Sequence, residues 1–192
     1  MRFRLFGIDF YISYIIICAF LIFTAGDTTG QFLPLAFSVC IHEASHIIML
    51  LTFGQKLKRA EFKIGALIIE YSSYATKTER IIALFAGPCS NLILALIARP
   101  FGEQRLFNIN ILLFLYNLLP VRGLDGGSLL EAIFEEKISG KRISIILNAL
   151  TIAVAFAMLA GFIILLKKGV VNYSLILFSI YLVLPLTVKK FS

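Results

Sequence analysis

Six long apolar stretches are the sequence feature that most limits how this chain folds. They cover about residues 8–25, 32–53, 80–98, 106–125, 143–166 and 170–188, and each is close to the roughly 20 residues that a helix needs to cross a bilayer. The 192-residue chain is 59% hydrophobic, whereas soluble domains are about half apolar. We therefore predict an all-α polytopic membrane protein with about six transmembrane helices, forming a single domain over residues 1–192.

The third and fourth apolar stretches contain residues that break regular helices. Pro88 lies in the third stretch and Pro120 in the fourth, and proline lacks the N–H group that a helix interior needs. Backbone groups freed inside a membrane must be satisfied within the protein. These two helices are therefore predicted to be bent or interrupted, and to mark the functional centre.

Residues 55–78, between the second and third apolar stretches, are too polar and too short to cross a membrane. Gly65 supplies a turn, and residues 66–74 are rich in residues that favour strands. We predict a short membrane-associated β-hairpin here. Its free edge would hold an extended substrate by strand addition. The alternative is a surface loop with basic anchors.

The distribution of positive charge predicts the orientation of the spans. With an even number of spans both termini lie on one side, and that side holds most of the cations: Arg2, Arg4, the six between residues 56 and 80, Lys137, Lys141, Arg142, Lys189 and Lys190. The other side holds Arg99, Arg105, Lys167 and Lys168. The first side is therefore predicted to be cytoplasmic, with both termini there. The net charge of +7 is then explained by topology, and no nucleic-acid partner is expected.

An HExxH sequence, His42, Glu43 and His46, lies inside the second apolar stretch. Residues i and i+4 share a helix face, so both imidazoles can bind one Zn²⁺ while Glu43 stands beside a reacting water. Unpaired ionisable groups at membrane depth cost about 2 to 3 kcal/mol each, so such groups usually face a partner or a water-filled cavity. The pattern predicts a metal-dependent hydrolase site, with an accidental or structural histidine pair as the alternative.

A catalytic zinc usually takes three protein ligands, so the two histidines need a third. Asp125, in the segment NLLPVRGLDGG at the end of the fourth stretch, is the candidate; the alternative is a helix cap or turn. Asn117, eight residues earlier, carries an amide that can hydrogen-bond a developing oxyanion. Its alternative is an interhelical polar clamp. Asn91 has the same two alternatives, and the pattern favours the structural one.

Three cysteines lie within apolar stretches: Cys18, Cys40 and Cys89. They show no CxxC spacing, and Cys40 projects from a different helix face than His42. We interpret them as small hydrophobic packing residues and not as metal ligands.

Three of these segments, in order, resemble the motifs of the site-2 protease family of intramembrane zinc metalloproteases. They are HEASH at 42–46, AGPCSN at 86–91 and NLLPVRGLDGG at 117–127. The resemblance covers about residues 32–130, which we take as the catalytic core. The short loop and six-span plan look most like stage IV sporulation protein FB and its relatives, without their CBS domain. Ser45 and Gly123 stand where a Gly and a Pro are common in the family.

The resemblance implies that His42, His46 and Asp125 bind one Zn²⁺ per chain, that Glu43 is the general base and that Asn117 contacts the oxyanion. It implies an intramembrane metalloendopeptidase of a bacterial cell membrane that cleaves a transmembrane or membrane-associated protein, for example a pro-sigma or anti-sigma factor. Expected partners are the lipid bilayer, the protein substrate, and a regulatory membrane protein or a second copy of the chain. The alternative is a catalytically inactive zinc-binding relative that binds substrates or handles ions, and Glu43 discriminates because a pure binding site needs no base.

Overall fold

The computed structural model describes residues 2–5, 8–12, 14–63, 66–71, 75–169, 179–180 and 182. The chain divides into two compact units, Met1–Asn117 and Leu118–Ser192. Among the described residues, the first unit contains four strands and four helices, and the second contains two helices of ten or more residues. Most of the predicted sixth span, 170–188, lies outside the described residues.

A four-stranded sheet belongs to the first unit, in the order β1 (Arg2–Leu5), β2 (Ile8–Ile12), β3 (Leu57–Lys63) and β4 (Ala66–Tyr71). The β1–β2 and β3–β4 pairs are antiparallel, and the β2–β3 pair is parallel. Strands β3 and β4 occupy the segment for which a hairpin is predicted, whereas the sequence analysis missed β1 and β2. Gly65, the predicted turn residue, lies outside the described residues.

The predicted first span, 8–25, is wrong in its bounds. Its first five residues form β2, and helix α1 covers only Tyr14–Gly26. At 1.5 Å per residue, 13 helical residues extend about 20 Å, less than the roughly 30 Å of a hydrocarbon core. A short apolar run in a sequence is compatible with both a strand and a buried helix. Residues 8–12 form a strand because they pair with β3, which is distant in the sequence.

Three described helices are long and apolar enough to cross a membrane: α2 (Phe32–Thr52), α3 (Lys77–Ala98) and the last one, α6 (Gly140–Lys167). Large apolar side chains cover their outer surfaces, including Leu33, Phe37, Ile48, Ile93, Leu96, Phe156 and Ile164. Such surfaces suit lipid contact better than contact with water. The chain is therefore an integral membrane protein, but about six full spans are not confirmed, because α1 and α4 (Gln104–Asn117) are shorter.

Small buried residues let α3 pack closely against α2. Ala83, Gly87, Asn91 and Ala95 recur at every fourth position and are all buried, so they line one face of the helix. Small residues at such spacing allow helix backbones in membranes to approach closely. Helix α3, predicted to be bent or interrupted, is not interrupted, because it continues as one helix through Pro88.

The first turn of α2 is held by Asp27, in the loop after α1. One carboxylate oxygen accepts a hydrogen bond from the Phe32 backbone N–H at 2.7 Å, and the other accepts from the N–H and hydroxyl of Thr29. The bond from Phe32 has the largest effect in lowering the pKa of Asp27, and the Thr29 hydroxyl adds to it. Because the loop is anchored in this way, the histidine-bearing helix begins at a defined residue.

The fourth apolar stretch, 106–125, is interrupted, as predicted. Helix α4 ends at Asn117, and α5 (Asp125–Phe134) begins after a non-helical segment, 118–124. In the second unit this segment is tied to α6, because the Arg122 backbone N–H donates to the Thr151 hydroxyl at 3.0 Å. Its carbonyl groups also lie so close to Gly126 that a Cβ there would be nearer than 3.0 Å. The segment therefore folds back on the first turn of α5.

Candidate metal centre and active site

Two imidazole rings meet on the buried face of α2. Ser38, His42, His46 and Leu50 recur at every fourth residue and are all buried, so both histidines point to the interior of the first unit. Their Nε2 atoms lie 3.2 Å apart. Two nitrogens that bind one tetrahedral Zn²⁺ at 2.0 to 2.1 Å would be about 3.3 Å apart. The spacing therefore fits two ligands of a single ion.

The other nitrogen of each ring faces α3. The Nδ1 atom of His46 lies 2.7 Å from the Ala83 carbonyl oxygen, and Nδ1 of His42 lies 3.0 Å from the Asn91 side-chain nitrogen. A carbonyl oxygen only accepts hydrogen bonds, so Nδ1 of His46 must carry the proton. In the neutral ring Nε2 then has a lone pair, which is what a metal ligand needs.

Close packing of the two rings against α3 depends on Gly87. A Cβ at this position would lie 2.6 Å from Cε1 of His46 and 2.7 Å from Nε2 of His42, and real Cβ contacts are longer than 3.0 Å. The absent side chain therefore lets both rings lie against the α3 backbone. The donor chemistry and the Nε2 spacing fit a zinc ion.

A second polar layer lies one helical turn from His42. The Asn110 amide nitrogen on α4 donates to the Ser38 hydroxyl at 2.9 Å, and the Ser38 hydroxyl donates to the Pro34 carbonyl at 2.8 Å. Both side chains are fully buried. The hydrogen bond between Asn110 and Ser38 joins α4 to α2 one helical turn from His42. This hydrogen bond was not predicted from the sequence, although an amide in an apolar stretch is the usual signal of an interhelical bond.

Glu43 follows His42 on α2 and is half-buried. Its position in the helix turns it away from the line of buried residues that carries the two histidines. A carboxylate at the margin of a buried site can exchange protons with water more easily than one in a sealed core. The general-base role of Glu43 remains a prediction.

Asp125 and Asn117 stand at helix ends on either side of the non-helical segment. Asp125 is the first residue of α5, and the N-cap position belongs to Leu124. The carboxylate is therefore in the first turn of α5, at the positive end of the helix dipole. Asn117 is the last residue of α4 and is half-buried. Their roles as ligand and oxyanion contact remain predictions.

Gly123 has a φ of +89°, which a proline cannot adopt, so the backbone before Leu124 differs from one built around proline.

Cys40 and Cys89 are exposed on their helices. They do not pack in the interior of the protein, which differs from the prediction that the cysteines are packing residues. Cys40 lies on the exposed side of α2, whereas the two histidines lie on its buried face.

Comparisons with protein families and known proteins provide evidence besides the geometry of the site. Residues 103–162 match the family model described as Peptidase family M50. This match supports a metalloendopeptidase. It includes Asn117 and Asp125, whereas the HExxH segment precedes it. No curated protein matches the chain.

A solved structure with a similar fold is the site-2 protease from Methanocaldococcus jannaschii. The alignment has a TM-score of 0.68 and 21% sequence identity, and it covers 95% of this chain and 91% of that one. At this identity the likeness shows the fold.

Proposed function

We propose that this chain is an intramembrane zinc metalloprotease that hydrolyses a peptide bond in a transmembrane or membrane-associated protein. One observation carries the proposal. The Nε2 atoms of His42 and His46 lie 3.2 Å apart on the buried face of a helix long enough to span a membrane. The HExxH order adds a carboxylate beside these two nitrogens, as peptide hydrolysis requires.

The proposed ligands are His42, His46 and Asp125, which would bind one Zn²⁺ per chain. Two imidazoles and a carboxylate are a donor set that catalytic zinc uses, with one position left open. A zinc ion bound there supplies Lewis acidity, which makes water more acidic and polarises a carbonyl group. We propose that residues 1–192 act as one domain, with residues 32–130 as its catalytic core.

The proton transfers are assigned to Glu43. Its carboxylate takes a proton from the attacking water and passes it to the nitrogen of the leaving amine, which completes hydrolysis without a further co-reactant. The Asn117 amide N–H donates a hydrogen bond to the oxygen that becomes negative as water attacks. Asn117 is suited to this because it ends α4, where helical geometry no longer constrains the following chain.

The substrate segment is proposed to add to the sheet of the first unit. Among the described strands, β4 pairs with β3 alone and so has one open edge. A peptide bond in a helix is inaccessible to attack, so an intramembrane substrate must unwind locally before cleavage. Strand addition would hold the unwound segment extended. For this, β3 and β4 must lie at the membrane surface.

The setting of the reaction follows from the charge distribution and the resemblance. We propose about six spans in a bacterial cell membrane with both termini in the cytoplasm, and a substrate of the pro-sigma or anti-sigma type. A role like that of stage IV sporulation protein FB, and a regulatory membrane partner or a second copy of the chain, belong to the same proposal. Co-expression of the chain with candidate pro-sigma and anti-sigma membrane proteins tests it directly. Cleavage of none of them by a folded, zinc-loaded chain would contradict it.

Asp125→Ala is expected to lower both zinc content and cleavage. The carboxylate is the proposed third ligand, whereas an Asp that only shaped a turn would affect folding and leave zinc bound. Metal analysis of the purified, folded variant measures the difference. Glu131→Ala is the matched control, because Glu131 is another half-buried acid on α5. A full zinc equivalent in Asp125→Ala would exclude this residue as a ligand.

Ile68→Pro is expected to impair cleavage more than Ile68→Ala while zinc content stays unchanged. Ile68 is in β4, opposite Glu61 of β3, and proline removes a backbone N–H that alanine keeps. Cleavage assays of both variants, with zinc measured in parallel, compare the two effects. Equal activities would mean that β4 is an anchor or a gate and does not bind the substrate.

A further inference from the structure

The two nitrogens of the His42 ring face different neighbours. Nε2 lies 3.2 Å from Nε2 of His46, and Nδ1 lies 3.0 Å from the side-chain nitrogen of Asn91. A neutral imidazole carries its proton on one nitrogen and a lone pair on the other. If Nε2 is the metal ligand, Nδ1 must carry the proton and therefore needs a hydrogen-bond acceptor.

Asn91 can supply that acceptor. Its side chain is fully buried, and none of the described residues donates a hydrogen bond to its oxygen, Oδ1. With the amide nitrogen facing Nδ1–H, two donors oppose each other while a buried acceptor has no donor. A half-turn about the Cβ–Cγ bond exchanges the two atoms in place. The amide oxygen of Asn91 then accepts a hydrogen bond from Nδ1–H of His42, so this donor and this acceptor each have a partner.

The same arrangement already exists at the second histidine. Nδ1 of His46 lies 2.7 Å from the carbonyl oxygen of Ala83. Ala83 and Asn91 lie on one buried face of α3, four residues before and four after Gly87. Helix α3 would thus present one acceptor to each ring, with Gly87 between the two acceptors. Partners of this kind set the tautomer and orientation of metal-binding histidines.

We propose that Asn91 is a positioning residue whose amide oxygen accepts a hydrogen bond from Nδ1–H of His42 and so turns the Nε2 lone pair to the metal. The proposal rests on the metal-binding part of the proposed function and does not depend on proteolysis. It assigns Asn91 a role that differs from both an oxyanion contact and an interhelical clamp, because it requires an acceptor atom and not a donor.

Asn91→Leu and Asn91→Asp separate these roles. Leucine has the same branched arrangement of side-chain heavy atoms and no acceptor, whereas aspartate keeps the acceptor and loses the donor. We expect Co²⁺ and Zn²⁺ to bind about 10- to 100-fold more weakly to Asn91→Leu, and about as tightly as wild type to Asn91→Asp. The measurement is metal titration of the purified full chain in detergent at neutral pH.

The matched control is Asn110→Leu, which removes another fully buried amide of the first unit, bonded to Ser38 and not to a histidine. We expect its metal affinity to stay near that of wild type. An equal loss in Asn91→Leu and Asn110→Leu would indicate a general packing effect and overturn the proposal. So would wild-type affinity in Asn91→Leu, or a loss in Asn91→Asp as large as that in Asn91→Leu.

A spectroscopic readout is available because the chain contains two histidines. Nitrogen-15-labelled histidine, in protein purified with a histidine-free tag, gives ring signals from His42 and His46 alone. We expect both rings of the zinc-loaded wild type and Asn91→Asp to carry the proton on Nδ1. A proton on Nε2 of His42 in either protein would overturn the proposal, even if Asn91→Leu did not fold. Wild-type protein that binds metal in this way but cleaves no substrate would instead contradict only the proposed proteolysis.

Discussion

Glu43→Gln is expected to reduce cleavage by about 10²- to 10⁴-fold, the range attributed to general-base catalysis, while one zinc ion per chain remains bound. Glutamine keeps the volume of glutamate but cannot take a proton from water. The proposed ligands, His42, His46 and Asp125, are unchanged. Initial rates of substrate cleavage and the zinc content of the same preparation are the two measurements.

Glu131→Gln is the control for the loss of a half-buried carboxylate and is expected to cleave at the wild-type rate. Wild-type turnover by Glu43→Gln would show that Glu43 is not the base. Loss of zinc together with activity would assign Glu43 to metal binding. The second result would favour an ion-handling or substrate-binding relative over a protease.

Gly87→Ala is expected to remove both metal binding and cleavage, although it adds only one methyl group. The new Cβ would meet Nε2 of His42 at 2.7 Å and Cε1 of His46 at 2.6 Å, so either the rings or helix α3 must move. Contacts of both rings with Ala83 and Asn91 of the same helix restrict that movement. We expect metal affinity to fall by more than about 100-fold, the upper end of losses from altered outer-shell partners.

Gly26→Ala provides the matched control in the same unit, because a Cβ there meets nothing within 4 Å. Zinc affinity, helix content by circular dichroism and thermal stability are measured for both variants. The expected result is a folded Gly87→Ala protein without zinc and a Gly26→Ala protein like wild type. Normal zinc affinity in Gly87→Ala would mean that metal binding does not depend on close packing of the two rings against α3.

Local patterns in the sequence determined the parts of the site that depend on a single helix. The four-residue spacing of His42 and His46 determines that they share a face, because α-helical geometry repeats every 3.6 residues. Proline and glycine near residues 120–123 similarly predict that the helix stops between Asn117 and Asp125. Neither inference needs information about a distant segment, and the structure has both features.

The bounds of the membrane spans could not be predicted from patterns within a single segment. Residues 8–12 and 14–26 read as one apolar run, but the first part pairs with β1 and β3 while the second is helical. The sequence also gave no reason for α3 to continue through Pro88. An apolar composition indicates that a segment is surrounded by apolar groups, but it does not distinguish a strand from a helix.

The sequence alone therefore determined that an HExxH segment lies in an apolar helix and that an aspartate follows a broken helix, and it predicted that these residues carry the chemistry. The tertiary structure decided what surrounds the histidines. Ala83, Gly87 and Asn91 lie beside the two rings because α3 packs on α2. Contacts between distant segments depend on how two helix surfaces fit together, and no periodicity within one segment encodes that fit.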